Sequence, residues 1–361
     1  MSDPVIPNRA IKGRGAVSNP IGRYEPASRE RIDDGWERPE DEDLPKPETQ
    51  VRLDATRTII ARNDSPDIGF DRSINAYRGC EHGCVYCFAR PTHAYFGLSS
   101  GLDFETKIFI KPDAPRLLEQ ELRRKGYDVA PIAMGTNTDP YQPLEREHRI
   151  TRGLLEVLRD WRHPFTIITK NHLVTRDLDI LGPMGKDNLC RVGLSVTTLD
   201  RELARKMEPR ASTPARRIEA IRLLAESGVS AGVMAAPMIP ALNDMELERI
   251  LEAAAGAGAS WAGHTVLRLP YEIKDLMREW LEEHAPLKAK HVLSLVQEMR
   301  GGRLNDPNFG GRMRGEGAYA KALSLRVRLA KKRLGLDRDL PPLDCSQFKK
   351  PARAGDQLAL L

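Results

Sequence analysis

Between about residues 70 and 270 the chain alternates short apolar runs with longer amphipathic stretches. The short runs are rich in residues that favour strands. In chain order they are FDRSINAY, TKIFI, APIAMGT, PFTIITK, CRVGLSVTT, VSAGVMAAPMI and WAGHTVLRL. Seven such segments predict the strands of a sheet.

Helical patterns lie between most of these runs, namely APRLLEQELRR, TRGLLEVLRDW, PARRIEAIRLLAES and NDMELERILEAAAGA. Alternation of strands and helices indicates βαβ units and a parallel sheet. Six or seven units exceed a small open sheet and fall short of the eight that close a complete barrel. The sequence therefore predicts an α/β fold, a partial (β/α) barrel of about six parallel strands, with its chemistry at the carboxyl ends of the strands.

The remaining segments frame this barrel. Residues 1–66 carry Gly, Pro and charge without apolar periodicity, which predicts an N-terminal arm that is partly extended. We assign residues 67–285 to the barrel, 286–340 to a basic helical extension and 341–361 to a C-terminal tail.

Composition narrows the class of protein. With 361 residues, 40% of them apolar and 6% aromatic, the chain can bury one large core or two smaller ones. No apolar run approaches the roughly 18 residues of a membrane span, and the first residues lack the apolar segment of a secretory signal. We expect a cytoplasmic protein that makes no membrane contact.

The charge is mildly basic and unevenly distributed. A net charge of +5 permits a nucleic-acid partner without requiring one. Basic residues concentrate at 300–315 and 324–338, and a solvated helix surface explains such a run equally well. If nucleic acid does bind there, the expected phosphate contacts are Arg326, Arg328, Lys331, Lys332 and Arg333.

Three of the five cysteines, Cys80, Cys84 and Cys87, lie within eight positions, just after the first predicted strand. In a reducing compartment such a cluster indicates a metal or redox site rather than a disulfide framework. A structural zinc ion would need a fourth ligand, taken from His82, His93 or a distant cysteine. An iron–sulfur cube held by three thiolates instead leaves one iron open for a substrate or cofactor. Both alternatives remain, and the spacing favours the cube.

The motif CEHGCVYC, a CxxxCxxC pattern with an aromatic before its last cysteine, resembles the signature of radical SAM enzymes. The longer string RSINAYRGCEHGCVYCFARPTHAYFGLSSGLDFE resembles a bacterial branch often labelled DNA repair photolyase, which is related to spore photoproduct lyase. The likeness continues through GTNTDPYQPLERE, ITKNHLVTRDLDIL, LSVTTLDRELARKMEPRASTPARRIEAI and RLNDPNFGGRMRGEGAYA, and covers most of residues 10–350.

This resemblance implies a partial barrel that binds a [4Fe-4S] cluster through Cys80, Cys84 and Cys87, together with S-adenosylmethionine. Its amino and carboxylate groups would occupy the open iron. One electron, from an external donor such as flavodoxin or ferredoxin, would then release a 5′-deoxyadenosyl radical that abstracts hydrogen from a substrate. A nucleic-acid-binding protein with a structural zinc site is the alternative function.

The resemblance also implies residues that contact S-adenosylmethionine, and each has an ordinary structural explanation. Tyr86 matches a position near the adenine, although an aromatic that packs within a loop fits as well. Thr138 and Asp139 match a region that contacts the methionine amino group, and a plain turn explains the same letters. Lys170 matches a lysine that faces the cofactor carboxylate, or is a solvated strand-end lysine.

Four further positions follow from the same likeness. Ser195 and Thr197 alternate on one face of a predicted strand, as a ribose-binding pair would, although both are unremarkable in strands. Glu208 and Arg210 are expected to hold polar groups of the cofactor, or to pair with each other on the surface.

One departure weakens the analogy with spore photoproduct lyase. That enzyme carries a hydrogen-donor cysteine in the strand-end turn that aligns with MGTNTD, where this chain has Thr136 and Asn137. Thymine-lesion repair by that route is therefore doubtful. Cys190 and Cys345 would be donors only if folding brought them beside the site, and Cys190 is more simply a small buried hydrophobe.

The final residues, QLALL, resemble the short peptide by which bacterial DNA repair proteins bind the sliding clamp. Gln357 would supply a directional hydrogen bond, and Leu358, Leu360 and Leu361 would fill an apolar pocket. Docking of these leucines onto the protein's own surface is the simpler explanation.

Overall fold

The computed structural model describes residues 10–24 and 48–352. Its strands are β1 (Gln50–Leu53), β2 (Ile60–Arg62), β3 (Arg72–Ile74), β4 (Tyr77–Arg78), β5 (Lys107–Ile110), β6 (Ile132–Met134), β7 (Phe165–Thr169), β8 (Cys190–Ser195), β9 (Ser230–Met238) and β10 (Trp261–Val266). The main sheet has the order β10-β9-β8-β7-β6-β3-β2.

Six strands of this sheet run parallel, because each of the pairs β3–β6, β6–β7, β7–β8, β8–β9 and β9–β10 is parallel. Only β2, at one edge, is antiparallel to its neighbour β3. The predicted partial (β/α) barrel of about six parallel strands is confirmed.

The helices are α1 (Leu102–Thr106), α2 (Ala114–Leu122), α3 (Glu145–His148), α4 (Ile150–Asp160), α5 (Leu178–Lys186), α6 (Arg201–Met207), α7 (Pro214–Glu226), α8 (Leu247–Gly256), α9 (Ile273–His284), α10 (Pro286–Glu298), α11 (Gly311–Arg314) and α12 (Gly317–Leu334). Those between the parallel strands are amphipathic. In α4, for example, Leu154, Leu155 and Leu158 are buried, at the spacing of one helix face. These faces and the outer side of the sheet form the main apolar core.

One predicted strand belongs elsewhere. The run TKIFI forms β5, which lies in a separate three-stranded sheet of order β1-β5-β4. It pairs in parallel with β1 and in antiparallel fashion with β4. An apolar run specifies a strand but not its partner, since the pairing depends on which other strands the chain brings alongside. Residues 50–62 of the arm segment thus contribute β1 and β2 to two sheets.

The C-terminal segment crosses the amino-terminal end of the barrel strands. The backbone N–H of Asp344 donates to the carbonyl of Asn188, which lies just before β8. The Phe348 ring packs 5.8 Å from Trp161 and 5.6 Å from His163, measured between centroids. Docking continues to Pro351, whose carbonyl accepts from Arg123. The clamp-like residues Gln357, Leu358, Leu360 and Leu361 lie outside the described residues.

Helix α12 packs against α8 beside the barrel. No helix in the described parts of the chain is long and apolar enough to span a bilayer.

Candidate functional site

The three clustered cysteines lie on a loop that leaves β4 at the carboxyl-terminal side of β3. Gly79 begins this loop with φ +78°, and a side chain there would clash with His93 and the carbonyl of Phe104. Gly83 has φ +67° and faces the carboxylate of Glu105. Both positions need glycine because their backbone is left-handed and their surroundings leave no room for a Cβ.

The thiols sit in a largely dry environment. Cys80 and Cys84 are buried and Cys87 is half-buried. Burial raises the pKa of the Cys84 thiol to about 12, against the opposing effect of the nearby Lys170 ammonium. A cationic ligand would be needed to keep such thiols ionised at neutral pH.

The turn after β6 is bonded directly to the cysteine loop. The Thr138 hydroxyl donates to the carbonyl of Gly79 at 2.6 Å. Gln142 donates to the same carbonyl and accepts from the backbone N–H of Glu81. Two strand ends are thereby held together, so Thr138 acts on the backbone next to Cys80.

The Asp139 carboxylate is only 10% exposed and has several hydrogen-bond donors. Its carboxylate accepts from the Thr169 hydroxyl at 2.6 Å, from the backbone N–H of Lys170 at 2.8 Å and from that of Tyr141 at 2.8 Å, and Nδ1 of His82 lies 3.3 Å away. Burial disfavours ionisation, but His82 and these donors prevail and hold the pKa of Asp139 at about 2. Asp139 joins the ends of β6 and β7 to the cysteine loop.

A second buried network joins β8 to the loop. The Tyr86 hydroxyl and the Thr197 hydroxyl both donate to the Glu208 carboxylate, the latter at 2.6 Å. Glu208 is also ion-paired with Arg217 of α7. The Arg217 guanidinium donates in addition to the carbonyl of Ser195 at 2.9 Å. Burial opposes ionisation of Glu208, yet Arg217 and Lys170 lower its pKa to about 2.

Lys170 lies at the centre of the predicted residues. Its ammonium is 5.7 Å from the centroid of the Tyr86 ring. Burial disfavours its charge, but Cys84 and Glu208 outweigh that effect and raise its pKa. Lys170 is half-buried, with its ammonium beside Tyr86, so it is not a fully solvated strand-end lysine.

Arg210 was expected either to hold the cofactor with Glu208 or to pair with it on the surface. The pairing is wrong, since Arg210 bonds Glu81 at 2.8 Å while Glu208 pairs with Arg217. Glu208 ends α6 and is buried, so its partner must be a side chain that reaches the core, and Arg217 does so from α7.

Sequence reasoning missed three residues that build the site: Arg217, Gln142 and Asn171. All three lie within the strings that carry the family likeness, but nothing in the sequence singled out their side chains, because their roles depend on contacts made in the folded chain. Asn171, for example, lies 3.2 Å from Nε2 of His82, between its amide nitrogen and the ring nitrogen. His82, which sequence offered only as a zinc ligand, instead links Asn171 to Asp139.

The other two cysteines lie at the opposite end of the barrel. Cys190 begins β8 in the main apolar core, and Cys345 is in the C-terminal segment beside Asn188. At the strand-end turn, Thr136 and the backbone N–H of Asn137 bond the side chain of Asn75. Apart from the cluster loop, no cysteine of this chain lies at the carboxyl ends of the strands.

The fold and site define a partial-barrel α/β protein with a cysteine loop at the carboxyl ends of its parallel strands. Residues 74–254 match the model of the radical SAM superfamily. The chain belongs to this superfamily of enzymes.

Relatives and solved structures agree with this assignment. An uncharacterised protein of Mycobacterium tuberculosis is 37% identical over 213 residues, 58% of this chain and 62% of the relative. One from Methanocaldococcus jannaschii is 31% identical over 173 residues, 48% of this chain and 62% of that protein. The chain thus spans about six tenths of the length of these relatives.

Spore photoproduct lyase has a similar fold. A variant with bound AdoMet and dinucleoside spore photoproduct aligns with a TM-score of 0.55 and 17% identity, over 79% of this chain and 78% of the lyase. A second variant of the lyase gives the same TM-score and identity. At this identity the likeness establishes the fold.

Proposed function

We propose that this protein is a radical SAM enzyme whose Cys80, Cys84 and Cys87 hold a [4Fe-4S] cluster beside a bound S-adenosylmethionine. The observation that carries the proposal is the convergence of this cysteine loop with the ends of β6, β7 and β8 through Thr138, Asp139 and Glu208. The cluster, when bound, supplies the electron that cleaves S-adenosylmethionine and yields a 5′-deoxyadenosyl radical.

Different residues of the chain would contact different parts of S-adenosylmethionine. Lys170, a half-buried cation with no acidic hydrogen-bond partner of its own among the described residues, would face the methionine carboxylate. Tyr86 would lie beside the adenine, with its hydroxyl fixed by Glu208. Ser195 and Thr197 would border the ribose, and Thr138 and Asp139 would orient the turn that meets the methionine amino group. Arg210, which is ion-paired with Glu81, would contact polar groups of the cofactor at the edge of the site.

The zinc alternative finds little support. The Nε2–H of His93 donates to the carbonyl of Lys107 at 3.0 Å, and the ring packs against Phe104. His82 is engaged by Asp139 and Asn171, and Cys190 and Cys345 are remote. In the described ranges no group of three His, Cys, Asp or Glu side chains is suited to hold a single metal ion. A larger inorganic group reached by three separate thiolates agrees better with this arrangement.

Anaerobic purification tests the proposal. We expect broad absorbance at about 400 nm with about four irons per chain, and release of 5′-deoxyadenosine when dithionite and S-adenosylmethionine are added. Cys84→Ala should abolish this release, whereas Cys345→Ala, at the far end of the barrel, should retain iron and activity. A colourless protein loaded with zinc, or undiminished cleavage by Cys84→Ala, would refute the proposal.

For the substrate we favour nucleic acid. Phe88, next to Cys87, is 51% exposed, and the Arg268 guanidinium stands 5.9 Å from its ring centroid. Arg268 follows β10 and has no carboxylate partner in the described structure, and its Nε is buried without a hydrogen bond. Burial and the neighbouring Arg312 and Arg300 lower its pKa. An exposed ring beside a cation that no carboxylate contacts directly suits a stacked base and its phosphate.

The reaction would also need an external electron donor, such as flavodoxin or ferredoxin. Apart from the cluster loop, no cysteine in the described residues lies beside the strand-end turn. A hydrogen atom returned to the substrate-derived radical would therefore come from a group other than the cysteine that serves in spore photoproduct lyase. We therefore propose a nucleic-acid modification by radical chemistry rather than repair by that lyase's route.

A further inference from the structure

The N-terminal segment 14–19 lies directly on the cysteine loop. A Cβ added to Gly15 would come within 1.7 Å of the carbonyl oxygen of Gly83, the residue before Cys84. Only glycine therefore fits at position 15 while the two backbones touch. Ala16 packs beside Leu102 and Leu276, which anchors the segment to α1 and α9.

Glu105 receives this segment. Its fully buried carboxylate accepts from the backbone N–H of Gly15 at 3.0 Å and of Ala16 at 2.8 Å. The same carboxylate is paired with Arg90 at 2.5 Å, and both side chains are 0% exposed. A buried carboxylate must be surrounded by donors, so the two arm amides complete a set that Arg90 alone leaves unfinished.

Arg90 links Glu105 to Cys84, one of the proposed cluster ligands. Its Nε donates to the carbonyl of Cys84 at 2.8 Å, and Nη1 donates to the carbonyls of Ser100 at 3.1 Å and Gly101 at 2.9 Å. A continuous chain of bonds thus runs from the arm amides through Glu105 and Arg90 to the backbone of Cys84. Every member of this chain is buried.

We propose that Glu105, together with arm residues Gly15 and Ala16, positions the cysteine loop, so that docking of the arm and binding of the cluster stabilise each other. This inference rests on the proposed function, because it needs a cluster on Cys80, Cys84 and Cys87. Glu105 is a positioning residue, which acts on the ligands through Arg90 and the loop backbone.

Reciprocal coupling gives a test on the unaltered protein. If the docked arm strengthens cluster binding, the bound cluster must stabilise the docked arm by the same factor. Amide hydrogen exchange at Gly15 and Ala16, measured on the full chain, should then be slower in the reconstituted than in the cluster-free protein, by about 5-fold or more. Equal exchange in the two forms would overturn the inference.

A variant gives an independent measurement. Gly15→Ala should push the arm off Gly83 and admit water to the loop, which makes the reduction potential of the cluster less negative and speeds iron loss in air. Lys12→Ala, at an exposed position of the same segment, should match the unaltered protein in both measurements. An unchanged potential and unchanged iron loss in Gly15→Ala would contradict the proposal.

The two proposals fail differently. If the unaltered chain never binds an iron–sulfur cluster, the proposed function is wrong. If it binds the cluster but either the arm-amide exchange or the Gly15→Ala measurements stay unchanged, only the positioning role is wrong.

Discussion

At the scale of single residues, Glu208 and Arg217 form a buried ion pair within the site. Both side chains are almost fully buried, at 0% and 2% exposure. Removing one partner of such a pair leaves a buried charge without compensation, which costs about 3–5 kcal/mol. Arg217→Met should therefore lower the free energy of unfolding of the cluster-free protein by about this amount in urea at pH 7.

A neighbouring arginine provides the control. Arg216 lies on the same helix with an exposed partner, Glu219, so Arg216→Ala should cost about 0–1 kcal/mol. The pH dependence of the free energy of unfolding in acid should also change in Arg217→Met. In the unaltered protein the pKa of Glu208 is held at about 2, below its ordinary value of 4.5. The ionised carboxylate therefore contributes its full stabilisation above pH 4.5, and this contribution is lost as the pH falls towards 2. Similar losses in both variants would mean that Glu208 is not held by Arg217.

At the scale of elements, the C-terminal segment acts as a strap over the amino-terminal end of the barrel. Phe348 is half-buried between Trp161, His163 and Tyr127. Phe348→Ala should reduce the free energy of unfolding by about 2 kcal/mol, less than for a fully buried phenylalanine. Because the site lies at the other end of the strands, formation of 5′-deoxyadenosine per bound cluster should stay unchanged.

Leu329→Ala is the comparison for this prediction, since Leu329 is 58% exposed on α12 and should cost no more than about 0.5 kcal/mol. Urea unfolding and the cleavage assay below the transition measure the two effects. A loss of cleavage in Phe348→Ala at full cluster content would show that the two ends of the barrel communicate.

At the scale of the whole molecule, two basic surfaces compete for the proposed nucleic acid. On α12, Arg326 is paired with Glu248 and Arg333 with Glu252, so part of the predicted phosphate-binding set is used internally against α8. Arg328 and Lys332 remain exposed on α12. At the mouth of the barrel, Arg268 has no carboxylate partner in the described structure.

Salt dependence separates these surfaces. Each phosphate contact that is lost should reduce the slope of log affinity against log salt by about 0.9 for duplex DNA. We expect Arg268→Ala to lower the slope by about one contact, and the combined neutralisation of Lys331, Lys332 and Arg333 to lower it further if α12 takes part. An unchanged slope in the triple variant assigns α12 to ordinary surface. An unchanged slope in both would refute nucleic-acid binding by these groups.

The sequence by itself determined the barrel and its chemical centre. Strand and helix periods are local properties, so six parallel strands and the place of CEHGCVYC at their carboxyl ends could be predicted from it. Lys170, Thr138 and Thr197 were proposed as site residues from the family resemblance, and each follows the end of a parallel strand, at the edge where the cysteine loop lies.

Only the tertiary structure decided which groups meet. It moved β5 into a second sheet, paired Glu208 with Arg217 instead of Arg210, and laid Gly15 on Gly83 across 68 positions of sequence. Such contacts depend on loop paths and on buried charges that need partners, wherever the chain supplies them. The periodic pattern of apolar residues within a strand or helix does not specify such contacts. The partners of buried ions can therefore be identified only in the folded structure.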